Sequence, residues 1–246
     1  MQISSITGVI ERRILANYRV DPDRMAAVLP EPFRPQLVNG YAIGGICLIR
    51  LARVRPKFFP LPWGMRSENA AHRIAVEWEF DGQLQRGVYV PRRDTSSWLS
   101  TWAGGRIFPG VNHLARFDVQ EAGDAYAVGM TSDDGLVSMR VSGSIADALP
   151  ETSVFESVDA AVAFFAAGAV GYSDASEAGR FEGLEMNCHR WDVQPLHVDE
   201  IQSSFFDDRE RFPSGTVEFD CALLMRDIPL ESHGRPGMTC STACRV

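Results

Sequence analysis

The residues best suited to chemistry are few and unevenly typed. Lys57 is the only lysine in a chain of 246 residues, and the other strongly basic side chains are all Arg. A mechanism that needs an amine, such as Schiff-base formation with a carbonyl compound, must therefore use Lys57. The run Arg92-Arg93-Asp94 closes an alternating segment and can place a guanidinium at the mouth of a pocket, so Arg92 is expected to touch ligand; the competing reading is a solvated ion cluster. The segment from Arg55 to Gly64 is unusually aromatic for a proline-rich connection, and its Trp63 is expected in a pocket wall. Cys240 and Cys244, with His233 and the Cys188-His189 pair, match no established zinc spacing, so no metal is expected.

The usual cofactor signatures are missing. No dinucleotide-type glycine pattern occurs, no Gly-Lys pair for a phosphate loop, no His-Glu-x-x-His and no Gly-x-Ser-x-Gly. No cofactor is therefore expected. The formal charge of −8 argues against nucleic acid or an anionic membrane surface, both of which are bound through excess Lys and Arg. A small-molecule ligand is the simpler partner. Five cysteines are an odd and sparse set, fitting reduced thiols. No signal-type N-terminal segment is recognisable and no run reaches the ~18 apolar residues of a membrane span, so a cytoplasmic protein is expected.

The elements that must position these residues are mostly short strands. Arg13 to Val20 and Tyr41 to Val54 read as strands, the second with interior glycines that let a backbone or a ligand come close. Between them Asp21-Pro22 can cap a short helix that Pro30 and Pro32 stop. His72 to Phe80 and Gln83 to Val90 alternate on either side of Asp81-Gly82, the clearest hairpin in the chain. A short helix is expected over Thr95 to Ala103, strands over Phe117 to Ile145, and the strongest helix over Val158 to Ala167, stopped by Gly168. Strands return at Leu184 to Val193, Val198 to Phe206 and Val217 to Ile228, and a polar tail fills 231–246. One domain over 1–230 follows, of the α+β class but mainly β: a sandwich or barrel with a few short peripheral helices.

Three segments carry a family resemblance. Ala16-Asn-Tyr-Arg-Val-Asp-Pro-Asp23, continuing to Val28-Leu-Pro-Glu-Pro-Phe33, resembles the opening of acetoacetate decarboxylases. Ser67-Glu68-Asn69 resembles the glutamate-bearing segment of that family, and Arg106-Ile-Phe-Pro-Gly-Val-Asn-His113-Leu-Ala its lysine-bearing segment with the lysines gone. Gly171-Tyr-Ser, Phe181-Glu-Gly-Leu-Glu, Ser203-Ser-Phe-Phe-Asp and Cys221-Ala-Leu-Leu-Met-Arg are similar to a subgroup of these relatives catalogued as a domain of unknown function.

The resemblance implies an antiparallel, cone-like β-barrel around a pocket, in an oligomer. It implies that Arg19 handles a substrate carboxylate and that Glu68 is the pocket acid or base, with Asn69 or Arg73 in its place if the register slips. Where the family carries its reactive lysine stand Gly110, Val111, Asn112 and His113. Asn112 is then a ligand contact and His113 a proton-transfer group. The expected function is binding of a small carboxylated or carbonyl-bearing metabolite. Hydration, dehydration, isomerisation or hydrolysis are the candidate reactions, and a non-catalytic sensor is the alternative.

Overall fold

The computed structural model describes residues 5–57, 64–98 and 110–239. Trp63, Cys240 and Cys244, and most of the helix expected over Thr95 to Ala103, lie outside them. Thirteen strands form one sheet: β1 (Ser5–Val20), β2 (Arg34–Pro35), β3 (Leu37–Val38), β4 (Tyr41–Pro56), β5 (Met65–Phe80), β6 (Gln83–Thr95), β7 (Asn112–Ala122), β8 (Ala125–Ser132), β9 (Ser138–Ile145), β10 (Val170–Asp174), β11 (Arg180–Cys188), β12 (Val193–Ser203) and β13 (Val217–Thr239). Among the described residues two helices accompany it, α1 (Pro22–Ala27) and α2 (Val158–Ala167).

The pairings close the sheet twice. Ladders run β6-β7-β8-β9-β12-β13-β1-β4-β5 and back to β6, a wide ring; β11 also pairs with β13 and β10 with β6, which closes a narrower ring of β13, β11, β10, β6, β5, β4 and β1. Five strands are thus shared walls, and two cores form, one on each side of them. On β1, Ile14, Ala16 and Tyr18 enter the first core while Leu15 enters the second. This explains why Ala42 to Ile49 is an almost unbroken apolar run: a strand buried on both faces has no polar side to present. Closure also removes exposed edges. Two pairings are parallel, β10 with β6 and β6 with β7; the rest are antiparallel among the described residues.

Local chemistry agrees with the sequence. Asp21 accepts from the Arg24 amide and caps α1 with Pro22 in its first turn. Asp81 and Gly82, with φ of 50° and 73°, make the tight turn between β5 and β6. Ser157 caps α2, and Gly168 ends it as expected. At Gly45 a Cβ would lie 2.5 Å from the Ala16 carbonyl oxygen, so only glycine lets β4 approach β1 there.

One segment differs from its sequence reading. Residues 231–239, read as the start of a polar tail, continue β13 and pair with both β1 and β11. Ladder hydrogen bonds are made by backbone groups, so a paired strand whose side chains largely meet solvent needs no apolar periodicity.

Candidate active site: a cavity lined by three arginines

The narrow ring is not filled. It encloses a cavity of about 130 Å³ whose apolar wall includes Ile49, Leu51, Val88, Val90 and Leu184, with Phe165 of α2 and Trp191 over it. Three guanidiniums enter this space: Arg13 from β1, Arg73 from β5 and Arg93 from β6. None pairs with a carboxylate among the described residues. Arg73 is 5% exposed; it donates to the Asn17 side-chain oxygen and stacks on Phe165, with its Nε unpartnered. Arg13 lies over the Trp191 ring at 5.8 Å, and its Nε is also without a partner. Arg93 donates from Nε to Ser173 Oγ at 2.8 Å.

Burial sets the electrostatics. It brings Arg73 down to about 10, with the Arg13 charge adding to the fall, and brings Arg93 to about 10. Burial also opposes the charge on Arg13, but the thiols of Cys47 and Cys188 outweigh it and the pKa is raised. All three remain protonated at neutral pH. Desolvated cations with neutral partners are unfavourable in an empty site, and an anion inside the cavity relieves them.

Two bulges decide which arginines face inward. Ala71 pairs with Arg93 and His72 with Arg92, but Ile74 then pairs with Tyr89, so Val90 and Pro91 together oppose Arg73. The extra residue reverses the alternation of β6: Val88 and Val90 face the cavity, then Arg93 does, and Arg92 turns away. Pro91, which has no amide hydrogen to give a ladder, is the sequence mark of this site. On β1, Ile10 pairs with Leu51 and Arg12 with Arg50, leaving Glu11 extra and turning Arg13 inward.

The residues singled out from sequence lie as follows. Asn112 is in the cavity wall, beside Arg93 on the parallel ladder. Arg92 binds Asp94 at 3.0 Å and Asp134 at 2.8 Å, and His113 lies 3.6 Å from Asp134. Glu68 is clamped outside the cavity by Arg12 at 2.6 Å and Arg50 at 2.5 Å, both of which also hold Glu121. On that strand Asn69 and Arg73 are the residues that line the cavity. Arg19 binds Glu218 at 2.6 Å and the Thr152 carbonyl, away from the cavity. Lys57 pairs with Glu231 at 2.9 Å and is 41% exposed. Sequence reasoning did not assign Arg13 or Arg93 to the ligand; the signal for both was a run of charge, Glu11-Arg12-Arg13 and Arg92-Arg93-Asp94, next to an apolar stretch of strand.

Among the described residues no cluster of His, Cys, Asp or Glu is arranged to hold a metal, and no helix is long and apolar enough to cross a membrane.

The closed, mainly β double ring defines the fold class, and solved structures place it among acetoacetate decarboxylase-like folds. The acetoacetate decarboxylase of Legionella pneumophila matches with a TM-score of 0.60 at 8% identity, over 94% of this chain and 86% of that one. An acetoacetate decarboxylase-like enzyme of Sphingomonas wittichii matches at 0.59 and 12% identity, over 97% and 94%. The enduracididine biosynthesis enzyme MppR, solved with pyruvate, matches at 0.54 and 12%, over 96% and 90%. At these identities the fold is what is shared. Within that class the chain belongs to the DUF2071 family, described as an uncharacterized conserved protein, whose model matches residues 9–219. No curated protein sequence matches it significantly.

Proposed function

We propose that the chain binds a small carboxylated metabolite in the narrow-ring cavity, with Arg13, Arg73 and Arg93 as its anion contacts and Asn112 as a further polar contact. The observation that carries this reading is the set of three cavity-lining guanidiniums, Arg73 buried and Arg13 and Arg93 half-buried, with no carboxylate partner among the described residues. A guanidinium presents a planar fork that matches a carboxylate in two parallel hydrogen bonds, and the enclosed site makes each bond stronger than in water. The apolar wall suits the carbon skeleton of an organic acid better than a hydrated inorganic anion. A fold relative solved with pyruvate accords with a ligand of this kind. Lys57, at the surface against Glu231, is not among the lining residues, so the proposed chemistry forms no Schiff base.

A second reading, turnover of that acid by hydration, dehydration, isomerisation or hydrolysis, draws support from Asp94. Asp94 is a residue of the cavity wall whose enclosed carboxyl lies on the Arg92 face of β6, and burial pushes that carboxyl up despite the pull of Arg92. A carboxyl held above its usual range suits proton transfer.

The experiment is a thermal-shift screen against keto, hydroxy and aromatic acids, run in parallel on Arg73→Met. Stabilisation by acids that the variant loses supports the binding site; absence of any acid-dependent shift in the unaltered protein rejects it. Product formation followed by NMR with the stabilising acid, lost in Asp94→Asn, separates turnover from binding alone.

A further inference from the structure

The three guanidiniums do not converge from one position. On the shared ladders Arg13 is level with Ile49 and Asn69, Arg93 with Ala71 and Cys47, and Arg73 with Gly45 and Asn17. These are three successive rungs on the cavity side of the sheet. At a rise of about 3.3 Å per residue, the outer two are rooted roughly 13 Å apart along the strands. On β4 and β5 the middle rung is small and weakly polar, Cys47 and Ala71, and Arg93 stands at its β6 end. Each arginine also has its own support: Trp191 under Arg13, Phe165 under Arg73, Ser173 on Arg93.

The charge count points the same way. The one carboxylate in the wall among the described residues, Asp94, is engaged by Arg92, which Asp134 holds from its other side. The cavity therefore carries three positive charges with no free negative charge among the described residues. One carboxylate would satisfy one or two of them and leave the rest desolvated. Two anionic groups at either end of a short apolar spacer would meet all three rungs.

Resting on the carboxylate reading above, we infer that the ligand is a dianion, a short dicarboxylate lying along the strands with its spacer over Cys47 and Ala71. One acid group meets Arg73 at the Phe165 end. The other meets Arg13, and Arg93 lies between them, where it can donate to either.

Isothermal titration of the unaltered protein with succinate, glutarate and adipate, each against its own monoamide, tests this directly. The monoamide keeps the shape and one carboxylate and removes one charge. The expected result is that at least one diacid binds about tenfold or more tighter than its monoamide, the change one added guanidinium contact makes in a partly screened site. In Arg73→Met the diacid should weaken more than the monoamide, closing the gap. Equal affinity of every diacid and its monoamide overturns the dianion and leaves the carboxylate site standing. Failure of both, together with no response to any acid in the thermal-shift screen, overturns the two together.

Discussion

The guanidinium carbon of Arg73 lies 4.6 Å from the centre of the Phe165 ring, so the C-terminal turn of α2 covers a buried cation that no carboxylate balances among the described residues. The ring offers a partly negative face, but this returns only a fraction of the lost hydration. Arg73 is thus unfavourable for the empty fold and useful for a ligand. Arg73→Met should leave the stability of the unliganded protein unchanged or raise it by about 1–2 kcal/mol in urea denaturation, while abolishing stabilisation by acids. A loss of several kcal/mol instead would make Arg73 a structural residue.

The two arginines of the Arg92-Arg93 doublet should separate cleanly. Arg93→Met removes a cavity contact and should weaken acid binding. Arg92→Met leaves Asp94, whose side chain is fully enclosed, without its guanidinium partner and should cost about 3 kcal/mol of stability. Parallel denaturation and titration of both variants checks this. Equal effects of the two on binding would contradict the inward orientation assigned to Arg93.

Glu68 gives a stability prediction. Its two oxygens each hold a guanidinium, and Arg12 is only 2% exposed. Glu68→Gln should therefore destabilise by about 1–2 kcal/mol, because it removes one of the two carboxylates that hold the buried Arg12 and leaves Glu121 as its partner. Within the same cluster burial alone would push Glu121 up, but Arg12 and Arg50 outweigh it and hold the carboxyl below its usual range. A depressed carboxylate contributes stability above its unfolded value, near 4.3, and loses it as pH falls through the lower folded value. The unaltered protein should thus lose stability below about pH 4, and Glu121→Gln should lose less over that interval.

His72 gives a pH effect closer to neutrality. Its Nε2 is 3.0 Å from Ser203 Oγ, and its Nδ1 has no partner among the described residues. Burial lowers its pKa to about 3, with Arg211 and Arg92 adding to the shift. The folded protein therefore keeps His72 neutral where the unfolded chain, titrating near 6.5, takes up a proton. Stability is full above about pH 6.5 and should fall by about 1.4 kcal/mol per pH unit below it from this group. Urea denaturation at pH 7 and pH 5 should show that slope reduced by one proton in His72→Gln. An unchanged slope would mean that His72 is charged in the fold.

Much of the architecture was legible in the residues. The Asp81-Gly82 hairpin, the Asp21-Pro22 cap, the α2 stripe and the doubly apolar β4 are local signals, each set by backbone preference or by period. The opening motif and the later strings also located the fold, since they span most of its length. The extension of β13 past residue 230 was not legible, because pairing through backbone groups leaves no mark on side-chain pattern.

The candidate site divides along the same line. The amino-acid sequence by itself determined that this is a mainly β chain, that its cations are almost all guanidiniums, and that Lys57 is its one amine side chain. Those follow from composition and short-range pattern. Only the tertiary structure decided that Arg13, Arg73 and Arg93 share one cavity while Arg12, Arg92 and Glu68 face away from it. Side chains alternate along a strand, so one extra residue at a bulge exchanges the two faces, and it is the partner strand that reveals where the extra residue lies.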